Sequence, residues 1–140
     1  MRAKLSLAGL TLLLAATPVA AHHNFAAAYD SSATITLTGV VTRVDWTNPH
    51  VYIYLDVKDE SGKVINWGME GYPPNTLKRA GFTRDIVKEG DTINITGYRA
   101  RENATRAAAR EVTVSGGAKY NFGPLPSPPN MGWSFVAPLR

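Results

Sequence analysis

Residues 34–70 read TITLTGVVTRVDWTNPHVYIYLDVKDESGKVINWGME, and this stretch decides the fold class. Its middle is the plainest part. Val51, Ile53, Leu55 and Val57 fall on one side of an extended chain and Tyr52, Tyr54, Asp56 and Lys58 on the other, the two-residue period of a strand with one buried face. Upstream, Thr34 to Trp46 is rich in Thr, Val and Ile and free of Pro, a composition that suits a pleated, half-buried chain. Its apolar parity runs through Ile35 and Leu37 and then shifts to Val40, Val44 and Trp46. Gly39 stands at the shift, where a glycine suits a bulge or a sharp bend. Thr47-Asn48-Pro49-His50 is a turn, Asp59-Glu60-Ser61-Gly62 a hairpin loop, and Val64 to Glu70 a third strand with Ile65, Trp67 and Met69 on one face.

Downstream, Gly71 to Asn75 breaks the strand pattern. Thr76 to Ala80 and Thr83 to Val87 then predict two short helical turns separated by Gly81, the second opened by a capping hydroxyl. Lys88-Glu89-Gly90-Asp91 is a turn, and Thr92 to Arg101 sets Ile93 and Ile95 against Asn94, Thr96 and Tyr98. A last strand runs from about Ala107 to Val114 with Val112 and Val114 inward. Three strands, a short helical link and two more strands is the order of an OB-fold. The expectation is an all-β fold with one short helical link, a small five-stranded OB-like Greek-key barrel over residues 34–115; an open sandwich or another five-stranded barrel is the competing arrangement. Residues 116–140 contain Pro124, Pro126, Pro128, Pro129 and Pro138, five of the nine prolines, and predict an extended tail whose Trp133 and Phe135 dock on the barrel.

The start of the chain sets the compartment. In residues 1–21, Arg2 and Lys4 precede an apolar run from Leu5 to Ala16, followed by Pro18 and a small-residue end, the three-part order of a signal peptide. The run is shorter than the ~20 residues needed to span a bilayer. Val19 and Ala21 fit signal cleavage after Ala21, so a periplasmic or secreted protein is expected, beginning His22-His23 and continuing as an amino-terminal arm over residues 22–33. Losing Arg2 and Lys4 from 15 basic residues leaves 13 against 11 acidic ones. With a net charge of only +2 and acids interleaved among the basic residues from Lys78 to Arg110, the surface is a mixed-sign solvated one, and export argues against a nucleic-acid partner. The chain has no Cys, which excludes disulfide frameworks, Cys-ligated metals and thiol catalysis.

No G-x-S-x-G, S-x-x-K, P-loop or G-x-G-x-x-G motif is present, and no catalytic residue is assigned. The histidines number three, His22, His23 and His50. A free amino terminus at His22 offers an α-amine and an imidazole that chelate Cu(II) together, and His50, in a turn at the mouth of the barrel, can supply a third nitrogen. Against this stands a plain terminus with His50 as a structural turn residue. Glu70, ending a strand beside Trp67, is the fourth candidate metal ligand; zinc on His22, His23, His50 and Glu70 is chemically permissible. A second constellation is aromatic. Trp46, Tyr52, Tyr54 and Trp67, with Tyr72 and Tyr98 nearby, border the face on which OB-folds stack oligonucleotides and sugars, although Trp46 and Trp67 also suit a core.

Several of these stretches also carry a resemblance. His22-His23-Asn24-Phe25-Ala26-Ala27-Ala28-Tyr29-Asp30, Leu37-Thr38-Gly39, Trp46-Thr47-Asn48-Pro49-His50, Asn66-Trp67, Glu70, Gly81-Phe82-Thr83-Arg84-Asp85 and Gly90-Asp91 resemble an uncharacterised domain-of-unknown-function family of small exported bacterial proteins, over about residues 21–115. The chain departs from that pattern at Asn24, Ala28 and Phe82, where Ser, an acid and Trp are usual. The resemblance implies an exported barrel-like domain and supplies no activity. Together these readings lead to an exported binding or accessory module, for an envelope protein or a small ligand, that takes copper through its amino terminus and His50. The alternatives are a copper-dependent redox enzyme on the same residues and a glycan- or peptide-stacking module on the aromatic face.

Overall fold

The computed structural model describes residues 24–123. Its elements are α1 (Asn24–Ala28), β1 (Tyr29–Trp46), β2 (Val51–Lys58), β3 (Val64–Glu70), α2 (Pro74–Arg79), β4 (Thr92–Ala100), β5 (Arg106–Thr113) and β6 (Lys119–Asn121). The described chain is therefore mostly β with two short helices. Neighbours in the sheet follow the order β3-β2-β1-β4-β5-β6 and run antiparallel. One further pairing joins the run to itself: Gly68, Met69 and Glu70 of β3 lie parallel to Arg106, Ala107 and Ala108 of β5. This contact brings the end of β3 beside the beginning of β5, and the candidate site forms there.

The length of β1 lets it serve two partners. Thr34 to Val40 pairs with β4, and Val40 to Trp46 pairs with β2. Where the strand passes from one partner to the other, a Cβ on Gly39 would stand 2.5 Å from the Asp56 carbonyl oxygen and 3.0 Å from Val57 Cγ2, so only a glycine lets the two backbones approach. The expected parity shift is real but lies further along. Val41 is buried and Val40 is 45 % exposed, and the register slips between Val41 and Arg43. The inward set is thus Ile35, Leu37, Val41, Val44 and Trp46, because the bulge, not the glycine, changes the side chain's face.

The core lies between the strands as the alternation of β2 requires: Val51, Ile53 and Leu55 are fully buried and meet Met69 of β3, Ile93 and Ile95 of β4 and Val112 of β5. Each such side chain contributes about 1.5–3 kcal/mol by leaving water. Pro74 opens α2, where its missing N–H costs nothing, and Leu77 on the inner side of that helix is fully buried.

Four expectations change. Thr83 to Val87 forms a turn, with the Ile86 N–H donating to the Thr83 carbonyl at 3.2 Å, and not a helix. β1 starts at Tyr29, five residues before the expected Thr34. Tyr98 is buried, because the β4–β5 register slips between Thr96 and Gly97 and the ring of Phe25 in α1 meets it edge-on at 6.4 Å. A sixth strand, β6, pairs with β5, and Phe122 just after it enters the core and accepts the Tyr72 N–H at 2.8 Å. Folded structure therefore reaches Gly123, because Phe122 fills the core beside Phe82. Trp133 and Phe135 lie outside the described residues.

Candidate functional site

The site gathers where β1, β2 and β5 begin and β3 ends. Glu70, the last residue of β3, stands opposite Tyr52 in the β2–β3 register. One of its oxygens, Oε1, is bonded to His50 Nδ1, and the other, Oε2, accepts from the Tyr29 hydroxyl. His50 immediately precedes β2, and Tyr29 opens β1, so three elements converge on one carboxylate. The His50 and Glu70 side chains retain 29 % and 19 % of their exposure.

Local structure explains why Tyr29 reaches Glu70. The Phe25 ring lies 5.3 Å from that of Tyr29 and also covers Tyr98. The end of β4 then laces α1 in place: the Arg101 N–H donates to the Ala28 carbonyl and Arg101 Nε to the Ala26 carbonyl, both at 2.9 Å. These bonds satisfy helix carbonyls that would otherwise lack a partner. Burial first and the neighbouring Glu70 second push the phenols of Tyr29 and Tyr52 well above the ordinary tyrosine range, so both stay protonated at neutral pH.

The polar face of β2 is a ladder of rings and cations. Tyr52 and Tyr54 stack with centroids 6.1 Å apart. Arg43 Cζ lies 4.1 Å from the Tyr54 centroid, and Arg106 Cζ lies 5.2 Å from that of Tyr54 and 5.6 Å from that of Tyr52. Arg106 Nη1 donates to Tyr54 Oη at 3.4 Å, and this bond holds the guanidinium pKa above its usual value. Beside this ladder a cavity of about 560 Å3 is lined by Ala27, Ala28, Tyr29, Tyr52, Glu70, Ala100, Glu102, Asn103 and Arg106.

A second cleft of about 640 Å3 lies beyond the turn before His50, between Trp46-Thr47-Asn48, Pro74-Asn75, Lys78 and Thr83-Arg84-Asp85. Trp46 lies parallel to Phe82 at 6.1 Å, and Arg84 covers it, with Cζ 5.6 Å from the ring and Nη2 donating to the Trp46 carbonyl at 3.4 Å.

Of the residues singled out from the sequence, His50 and Glu70 meet, although twenty positions separate them. Tyr52 and Tyr54 stack in partial contact with solvent. Trp67 is 6 % exposed and packs in the core, so it offers no open ring, and Trp46 is half-covered. His22 and His23 lie outside the described residues. Among the described residues no three His, Cys, Asp or Glu side chains gather to hold a metal ion, so a complete site at His50 needs ligands from beyond them. Sequence pattern alone does not mark Tyr29 or Arg106 as site residues. Tyr29 stands within the His22–Asp30 signature, whereas Arg106 is one charge ahead of three alanines and only the β3–β5 pairing reveals its place.

Residues 10–109 match the sequence profile of DUF6152, a family of unknown function. The chain belongs to this family. No curated protein matches it. The DUF6152 match spans every residue of the Glu70 cluster, from Tyr29 to Arg106, and also both clefts. No helix among the described residues is long and apolar enough to cross a membrane.

Proposed function

We propose that this chain is exported and that its folded domain is an OB-like Greek-key barrel acting as a small binding or accessory module, with Cu(II) held by the mature amino terminus and His50. The strand pairing supports the barrel, since β1-β2-β3-β5-β4 returns to β1 in a cycle. The copper reading is carried by one observation, the Glu70 carboxylate on His50 Nδ1. A carboxylate at that nitrogen fixes ring and tautomer and directs a metal to Nε2, the arrangement that commonly stands behind metal-binding histidines. Glu70, bonded on both oxygens, then orients His50 and is not itself a ligand. Chain length agrees. Only α1, about 7.5 Å of helix, separates His23 from Tyr29, and Tyr29 touches the same carboxylate as His50.

The test is electron paramagnetic resonance of one equivalent of Cu(II) on the processed protein. A single nitrogen-rich spectrum is expected, lost when one residue is added before His22, with His50→Ala weakening binding at least tenfold, ~1.4 kcal/mol. The same weak, mixed signal from all three proteins would overturn the copper reading and leave His22-His23 a plain terminus.

A further inference from the structure

Arg106 is a cation seated with care and, among the described residues, left without a counter-anion. Ion pairs among the described residues join Arg43 to Asp45, Arg101 to Asp30 and Lys119 to Glu111, and Glu70 is bonded to His50. None involves Arg106, so no carboxylate oxygen of a described residue lies within 4.0 Å of its guanidinium. Yet the fold makes room for this side chain. Arg106 lies across its register partner Gly68, where a Cβ would stand 2.7 Å from Nη1 and 2.9 Å from Cδ. Its other side rests on the rings of Tyr52 and Tyr54. Of the five N–H donors of a guanidinium, the side-chain bonding among the described residues uses one, toward Tyr54 at 3.4 Å.

The cavity that Arg106 lines has the matching character. Its polar groups include the protonated phenols of Tyr29 and Tyr52 and the Asn103 side chain, and the methyl groups of Ala27, Ala28 and Ala100 form an apolar part. Small-ligand sites combine such apolar wall with a few fixed polar groups. Two carboxylates also line it, Glu70, whose oxygens are already bonded to His50 and Tyr29, and the exposed Glu102; they repel any anion, and a doubly charged one such as phosphate more strongly than a singly charged one.

We infer that this cavity binds a small organic monocarboxylate, its acid group on the Arg106 fork and its apolar body against Ala28 and Ala100. A planar guanidinium accepts a carboxylate through two parallel N–H···O bonds, which a lysine in its place could not reproduce. The site uses neither His22 nor His23 and needs no metal, so it stands or falls apart from the copper reading.

The experiment is a titration of metal-free, EDTA-treated protein with benzoate, its neutral isostere benzamide, and inorganic phosphate, followed by nuclear magnetic resonance of the Ala28 and Ala100 methyls and the Arg106 guanidinium. Saturable benzoate binding at these groups is expected, at least tenfold tighter than benzamide or phosphate. Arg106→Gln should weaken it at least tenfold and Arg106→Lys by less. Since Arg106 also packs on Gly68, Ala100→Leu provides a second route: it fills the cavity from the β4 side with Arg106 intact and should abolish the benzoate shifts. Absence of saturable benzoate binding, equal affinity for benzamide, tighter binding of phosphate, or benzoate shifts confined to Lys78 and Arg84 in the other cleft would overturn the assignment.

Discussion

One cleft is lined by the start of the segment Trp46-Thr47-Asn48-Pro49-His50 and the other by Glu70, the partner of the His50 that ends it, and the two treat their polar groups in opposite ways. On the Trp46 side the cations Lys78 and Arg84 are exposed, Arg84 lies over the Trp46 ring and donates to its carbonyl, and the order comes from Trp46 lying parallel to buried Phe82. On the His50 side a half-buried carboxylate is shared by an imidazole and a phenol, with a guanidinium on a glycine nearby. Exposed cations in high-dielectric surroundings contribute little, whereas polar groups drawn from water must be matched to one another. The first cleft is therefore held mainly by packing, and the second is an arrangement in which losing one member strands the others.

That contrast can be broken most forcefully from beneath. Phe82→Ala should cost about 3–5 kcal/mol, because it removes a ring that is 1 % exposed and touches Trp46, Tyr120 and Phe122; chemical denaturation would show it. Glu70→Ala comes next, at about 1–3 kcal/mol in the same assay, since His50 Nδ1 and the Tyr29 hydroxyl both lose their partner.

A pH series sharpens the comparison further. The phenols of Tyr29 and Tyr52 are raised in the folded chain, so above about pH 10 the unfolded chain releases protons that the folded chain keeps. Their contribution is fully present below that pH and is lost as pH climbs toward the folded values. Denaturation midpoints should fall between pH 9.5 and 11, on the order of the phenol titration range, and fall less steeply in Tyr29→Phe. The smallest effect belongs to the other cleft: Arg84→Ala should shift stability by less than about 0.5 kcal/mol in the same denaturation assay, and a larger loss would mean that losing one member strands the others there as well.

Much of this architecture could be read from local pattern. The alternation of Val51 to Val57 is strict enough to orient β2, and the strand–strand–strand–helix–strand–strand order follows from turn residues at regular intervals. What escaped pattern reading did so for identifiable reasons. Val40 and Val41 are adjacent valines, and parity alone cannot say which faces inward when a bulge follows. Phe122 lies in a glycine-rich approach to a proline-rich end, and the three-residue strand just before it is too short to leave a periodic signal. Trp67 reads equally well as a stacking platform or as core, and burial alone separates the two.

The candidate site divides along the same line. The sequence by itself determined that histidine occurs at only two places in the chain, that no thiol chemistry is available, that β-strands dominate, and that Glu70 ends a strand, because residue identity and short-range periodicity are local properties. Only the tertiary structure decided that Glu70 faces His50 and Tyr29, that Arg106 lies over Gly68, and that Tyr52 and Tyr54 are bracketed by arginines. Those meetings depend on the β3–β5 pairing and the handover of β1 between two partners, contacts between residues tens of positions apart whose register no local pattern encodes.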